Sequence, residues 1–418
     1  MKNTFFSRFP VDNASLHFLS QVRKDHTNTF RFTMTLTETI CPETLQLAVD
    51  RVYRRFPTII AGFYPGFFHF YQIPAKEPPQ VLPDPGILRT MTAEELRTCA
   101  YRVYYQEKTI AIEAFHALTD GYGAIASFTT LVAEYLRLKY NISIPVAHTL
   151  INLNEPPTFQ ELSDAYLTYQ EGKPFLQRNR YAYQLPGRAP HLRSVLISNK
   201  TISTDALLTA SRRFGVSMTT LLSTVMAQSV MEIQNCHASP KRIKPVRVMV
   251  PVDLRRMFPS LTLRNFILYA LPTMEPSDLT RPLSERLNKF RDQFKQQIER
   301  RRLASIMAYN VRTQGAWFFR WIPLVLKRLI LRIGNRFFGE INSSVTVTNL
   351  GNVTLPEEMK QYVRRIEVTL TPRIRSPYNC AVIAYDGNLS INISRFCPEP
   401  ELETVFFRNL DLILQETL

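Results

Sequence analysis

Between residues 141 and 190 the regular spacing of apolar side chains fades, while Pro145, Pro156, Pro157, Pro174, Pro186 and Pro190 accumulate. Proline fixes φ and removes a backbone donor, so such a stretch ends elements rather than building them. Periodic segments of both kinds return on either side of it. A chain of 418 residues also exceeds one ordinary domain of about 100 to 200 residues. The pattern predicts two α/β (α+β) units, 1–185 with the linker and 186–418, and no short-period repeat suggests a solenoid.

In the first unit Phe30, Phe32, Met34 and Leu36 alternate with polar residues as in a half-buried strand. Leu45, Ala48, Val49, Val52 and Phe56 recur at helical spacing and stop at Pro57. Further strands are predicted over 67–73, 88–92 and 109–115, a short helix over 94–100, and a helix from Tyr122 to about Lys139. The second unit reads as helices over 205–214 and 217–233, strands over 246–250, 266–271 and 344–348, and one long helix across 282–304. A hairpin of 380–385 and 389–394 around Asp386-Gly387-Asn388 and a closing helix over 399–414 follow.

Within 109–116 the alternation places Ile110, Ile112, Ala114 and His116 on one face, so the imidazole emerges at the carboxyl end of a buried strand. Asp120 stands where a helix N-cap belongs, and Gly121 and Gly123 permit close backbone approach. A rigid strand that delivers a histidine into a tight loop suits a general base, whose neutral imidazole titrates near working pH. A core histidine and a purely capping aspartate are the structural alternatives.

The spacing His116-x-x-x-Asp120-Gly121 resembles the HxxxDG signature of the acyltransferase superfamily that includes chloramphenicol acetyltransferase, peptide-synthetase condensation domains, plant BAHD enzymes and polyketide-associated acyltransferases. Many members carry two adjacent histidines, the second generally catalytic; here Phe115 precedes His116. Val250-Pro251-Val252-Asp253-Leu254-Arg255-Arg256 and Leu263-Arg264-Asn265-Phe266 are similar to segments of bacterial alcohol acetyltransferase-like members. Arg54-Arg55-Phe56-Pro57 sits where condensation domains carry an Arg-His-Glu segment.

The resemblance implies two chloramphenicol-acetyltransferase-like subdomains facing each other across a tunnel, with His116 near its middle. It implies transfer of an acyl group from acyl-CoA or acyl-phosphopantetheine, used as co-substrate with no permanently bound cofactor, to a small-molecule or lipid-like alcohol or amine. An acyl-carrier protein is the donor's alternative bearer. Asp120 is expected to pair with an arginine, Arg55 first and Arg255 second, with Gly121 as a backbone requirement. His17 is the expected acceptor-site residue, Asn349 resembles a residue lining the tunnel, and Thr346, Thr348 and the Gly121 backbone are candidates for the oxyanion. The rival reading is a non-catalytic condensation-like module that binds a carrier protein or lipid.

Composition narrows the partners. Lys and Arg number 51 against 35 Asp and Glu, a net charge of +16, which favours a phosphorylated co-substrate, a carrier protein or an anionic membrane, or serves solubility alone. No helix-turn-helix, zinc-finger or RNP-like pattern accompanies it, so nucleic acid is not expected. The five cysteines show no Cys-x-x-Cys spacing, and no histidine has a metal-ligating partner at ligand spacing; no metal is expected. No run approaches the roughly 18 to 20 apolar residues of a spanning helix, and residues 1–10 lack a signal-like core. The expectation is a cytoplasmic monomer, with a peripheral membrane contact through 317–336. There Arg320, Lys327, Arg328, Arg332 and Arg336 can share a stripe opposite a broad apolar face. That stretch reads either as a membrane-surface helix or as a core helix with a solvated cationic face.

Overall fold

In the computed structural model, which describes residues 8–23, 26–175, 181–186, 195–237, 243–338, 342–373 and 376–416, strand Thr109–Phe115 lies at the centre of a five-stranded sheet. The order is Val363–Leu370, Thr29–Leu36, Thr109–Phe115, Tyr101–Gln106, Val81–Pro83. Helices Pro42–Val52 and Gly121–Tyr140 share its core through Leu45, Val49, Phe128 and Val132. The second sheet runs Ile267–Ala270, Val246–Asp253, Val345–Asn352, Tyr378–Tyr385, Asn388–Arg395, Leu196–Ser203, with Thr273–Met274 also on Val246–Asp253. Helices Met218–His237 and Glu401–Gln415 bury Val225, Met231, Phe406 and Leu410 in its core. A small third sheet joins Phe9–Pro10, Phe70–Pro74 and Ala61–Pro65.

The two halves exchange structure. Strand Val363–Leu370 belongs by sequence to the second unit, yet it pairs antiparallel with Thr29–Leu36 from Leu370 opposite Phe30 to Val363 opposite Leu36. A cut at 185/186 therefore does not separate the sheets. Ala381 and Ile383 of the second sheet are buried in the same core as Phe32 and Phe128. Thr346 and Thr348 lie beside Asn379 and Ala381 in parallel register, so they share that inward face.

Several local expectations need correction. Residues 88–92 form no strand, because the carbonyls of Arg89 and Thr90 accept from the Arg102 guanidinium instead of a ladder. The helix across 282–304 is two helices, Leu283–Gln297 and Arg300–Gly315. The first buries Leu287, Phe290 and Phe294 in the second core, and the second buries Leu303 and Met307 against Phe258 and Phe266. One straight helix cannot serve both. The proline-rich stretch is no free linker either, since Leu150, Leu162, Ala165 and Tyr166 are buried.

The cationic stripe is also not as expected. On helix Leu324–Phe338 the Lys327 side chain is buried, with its ammonium donating to the Phe68 carbonyl at 2.9 Å. Arg332 donates to the carbonyls of Ser20 and Val22 at 2.7 and 2.6 Å. Free backbone carbonyls at a loop and a helix end draw these cations inward, and the apolar side chains turn outward. The Arg336 side chain lies outside the described residues.

Candidate active site

The motif loop is bonded mainly to residues 262–266. Thr119 Oγ1 donates to Leu263 O at 2.6 Å, Asn265 Nδ2 to His116 O at 3.0 Å, and the Phe266 amide to Asp120 Oδ2 at 2.8 Å. Asp120 uses its other oxygen as an N-cap, accepting from the amides of Tyr122 and Gly123 at 3.1 and 3.3 Å. Capping and arginine pairing, weighed as alternatives from sequence, are both satisfied, one by each carboxylate oxygen.

The arginine is Arg255, whose Nη1 lies 2.8 Å from Asp120 Oδ2 with both side chains almost fully buried. Its remaining donors reach Thr262 O, Arg264 O and Asp253, and it stacks over the Tyr122 ring at 4.6 Å. Arg55, the first expectation, pairs instead with Glu161 through two bonds of 3.0 and 2.8 Å and donates to Asn152 O. Two satisfied carboxylate bonds leave it no geometry for Asp120. A Cβ at Gly121 would stand 2.5 Å from Leu350 Cδ2, the movable end of a side chain. Gly123 is stricter: its Cβ would meet the Leu263 carbonyl and the Thr119 hydroxyl, each at 2.2 Å.

His116 sits at the end of this frame. Its amide donates to Asn28 O at 2.8 Å, Phe18 stacks on the ring at 4.2 Å, and Phe30 meets it edge-on at 5.1 Å. Nδ1 is buried without a well-formed hydrogen bond, while the residue as a whole is partly accessible, so Nε2 is the ring nitrogen left accessible. Burial pushes the His116 pKa down, and its own carbonyl, Asp120, Asn265 and Asp12 only partly oppose this. The imidazole is therefore neutral at neutral pH.

His17 lies on helix Asn13–Gln21, the helix that brings Phe18 onto His116. Asp12 caps that helix at the Ser15 amide and forms an ion pair with Arg264 at 3.4 Å, while Ser15 Oγ donates to Ala117 O. Its pKa is lowered to about 4 by burial, then by Arg373 and by His116 itself. The same side chain is accessible to solvent. Tyr269 is likewise 40% exposed, with its pKa pushed up by burial and held back by Arg373.

Thr346 is buried, and Thr348 Oγ1 is buried without a partner on the inward face of the second sheet. Asn349 is occupied structurally, donating to Thr219 Oγ1 at 3.0 Å and accepting from the Gly351 amide at 2.9 Å. Sequence reasoning singled out neither Phe18, which stacks on His116, nor Asn265, which bonds its carbonyl; only Asn265 carried a signal, inside the segment 263–266. Among the described residues no three or more His, Cys, Asp and Glu side chains gather as a metal site would need.

The fold is similar to that of known structures along nearly their whole length. Polyketide synthase associated protein 5 from Mycobacterium tuberculosis is similar at a TM-score of 0.60 and 15% identity, over 98% of this chain and 99% of that one. A trichothecene 15-O-acetyltransferase from Fusarium sporotrichioides matches at 0.60 and 11%, over 99% and 97%. The starter condensation domain of rhizomide synthetase, solved with C8-CoA and Leu-SNAC, matches at 0.58 and 13%, over 98% and 94%. No family model and no curated protein sequence matches the chain. The fold is the two-subdomain architecture seen in these condensation-domain and acyltransferase structures.

Proposed function

We propose that the protein is an acyltransferase that moves an acyl group from a thioester, acyl-CoA or acyl-phosphopantetheine on a carrier protein, to an alcohol or amine. The observation that carries this reading is His116: a neutral imidazole whose pKa burial pushes down, fixed through its backbone, with Nε2 as its accessible nitrogen. Nε2 takes the proton as the acceptor oxygen or nitrogen attacks the thioester carbonyl. The tetrahedral adduct then expels the thiolate, which recovers the proton from the imidazolium. No covalent acyl-enzyme is required. The unpartnered Thr348 hydroxyl is the candidate donor to the developing oxyanion, with Thr346 and the Gly121 backbone as further candidates. His17, enclosed and neutral, lines the acceptor side.

The test is release of free thiol from a panel of acyl-CoA esters and carrier-bound acyl thioesters in the presence of alcohols and amines. His116→Ala should lower acceptor-dependent release about 10² to 10⁴-fold while the melting temperature holds. Binding of a thioester without release, in parent and variant alike, would favour the non-catalytic module.

A further inference from the structure

We propose that the outward face of helix Leu324–Phe338, together with Trp317 and Trp321, docks the protein on an anionic lipid bilayer. A helix on a globular protein normally buries its apolar side chains. Here Val325 is 79% exposed, and Leu326, Leu329, Ile330 and Ile333 are each about half exposed along the same contiguous arc. The orientation is built in. Leu324 N donates to Phe67 O at 2.8 Å, Lys327 bonds Phe68 O, and Arg332 bonds Ser20 O and Val22 O, so the polar anchors face the protein. Rolling the helix over would break all of these bonds.

Two further observations name the occupant. The chain has two tryptophans, Trp317 and Trp321, and both stand here, 77% and 67% exposed. Indole favours the headgroup level of a bilayer, where one edge is dry and the other wet. Residues 300–339 hold nine Lys and Arg and no Asp or Glu. An aromatic and aliphatic face in a stretch that carries cations and no acidic side chain fits an anionic membrane surface. An acidic carrier protein would match the charge but leave the apolar arc uncovered, and a second copy would set cation against cation.

Among the described residues no single helix is long and apolar enough to cross a membrane, so the contact is one of lying on the surface. Beneath the segment is a cavity of about 210 Å³ lined by Leu16, Phe70, Phe319 and Lys327 among others. Leu16 belongs to the helix whose next two residues, His17 and Phe18, adjoin His116. The docked face is thus one helix removed from the proposed catalytic base.

The experiment uses the full chain with vesicles of phosphatidylcholine alone and of phosphatidylcholine with about one-third phosphatidylglycerol. Flotation with the anionic vesicles, a blue shift of tryptophan emission, and weakening by salt are expected. V325S/L329S/I333S should lower the apparent partition about tenfold or more with unchanged melting temperature. Neither readout requires turnover, so failure here is separable from failure of the acyltransferase reading. Absence of parent binding to anionic vesicles overturns the proposal, as does a triple variant that binds like the parent. A concentration-dependent dimer abolished by the triple variant, or a tryptophan shift with an acidic carrier protein, overturns it where vesicles give neither signal.

Discussion

Asp120 and Arg255 stand 135 residues apart in the chain and meet at 2.8 Å, joining the motif loop of one half to strand Val246–Asp253's end in the other. Both are buried, and Asp120 also caps helix Gly121–Tyr140. The pair is therefore a joint as well as an ion pair.

Asp120→Asn and Arg255→Met should each destabilise by about 3 to 5 kcal/mol, since each leaves a buried partner uncompensated. The double variant should recover about 0.5 to 3 kcal/mol relative to the sum. Denaturant melts of the four proteins check this, and strict additivity would show that the two side chains do not act together.

Arg55→Met breaks the buried contact to Glu161 and should also lower stability, by about 3 to 5 kcal/mol. Because Arg55 holds the 152–161 segment and not the motif, kcat/KM per folded molecule should stay near the parent value. Arg255→Met should lower both. Equal kinetic losses in the two variants would contradict the geometry.

The acid behaviour follows from two histidines. Burial and then Arg373 push the His17 pKa down to about 4 from an ordinary 6.5, and burial shifts His116 the same way. The unfolded chain takes up protons below 6.5 that the native site refuses, so their contribution to stability is present above 6.5 and is lost as pH falls towards 4. The melting temperature should decline over that window, less so in His17→Gln. The acid limb of kcat/KM should fall below 6.5; a limb centred at or above it would place the base elsewhere.

Gly123→Ala should cost more than Gly121→Ala. A methyl at Gly123 meets a backbone carbonyl at 2.2 Å, while at Gly121 it meets the movable tip of Leu350. Overpacking of this kind costs about 1 to 3 kcal/mol, with the first variant at the upper end. Equal melting temperatures would refute the distinction.

The motif strand was legible because its apolar residues keep a clean period of two into His116, and the HxxxDG spacing marked the loop after it. Strand Val363–Leu370 was not, because a register shift between Val363 and Arg365 breaks the alternation, and Val363, Ile366 and Val368 bury at uneven spacing. Its partner is more than three hundred residues away, beyond any local pattern. The choice between Arg55 and Arg255 was hidden for a similar reason: Glu161 and Asp120 both offer carboxylates, and only the folded path decides which arginine meets which. The amphipathicity of 324–338 was readable, while its orientation depended on the carbonyls of Phe68, Ser20 and Val22.

The strand that crosses between halves also sets a timetable for synthesis. Thr29–Leu36 leaves the ribosome early and pairs with Thr109–Phe115, but its other edge is filled only by Val363–Leu370. At roughly 5 to 20 residues per second, that edge waits about 15 to 65 seconds. An uncovered strand edge is a template for wrong pairing. During translation the nascent first half thus depends on shielding by its own unfinished chain or by a chaperone.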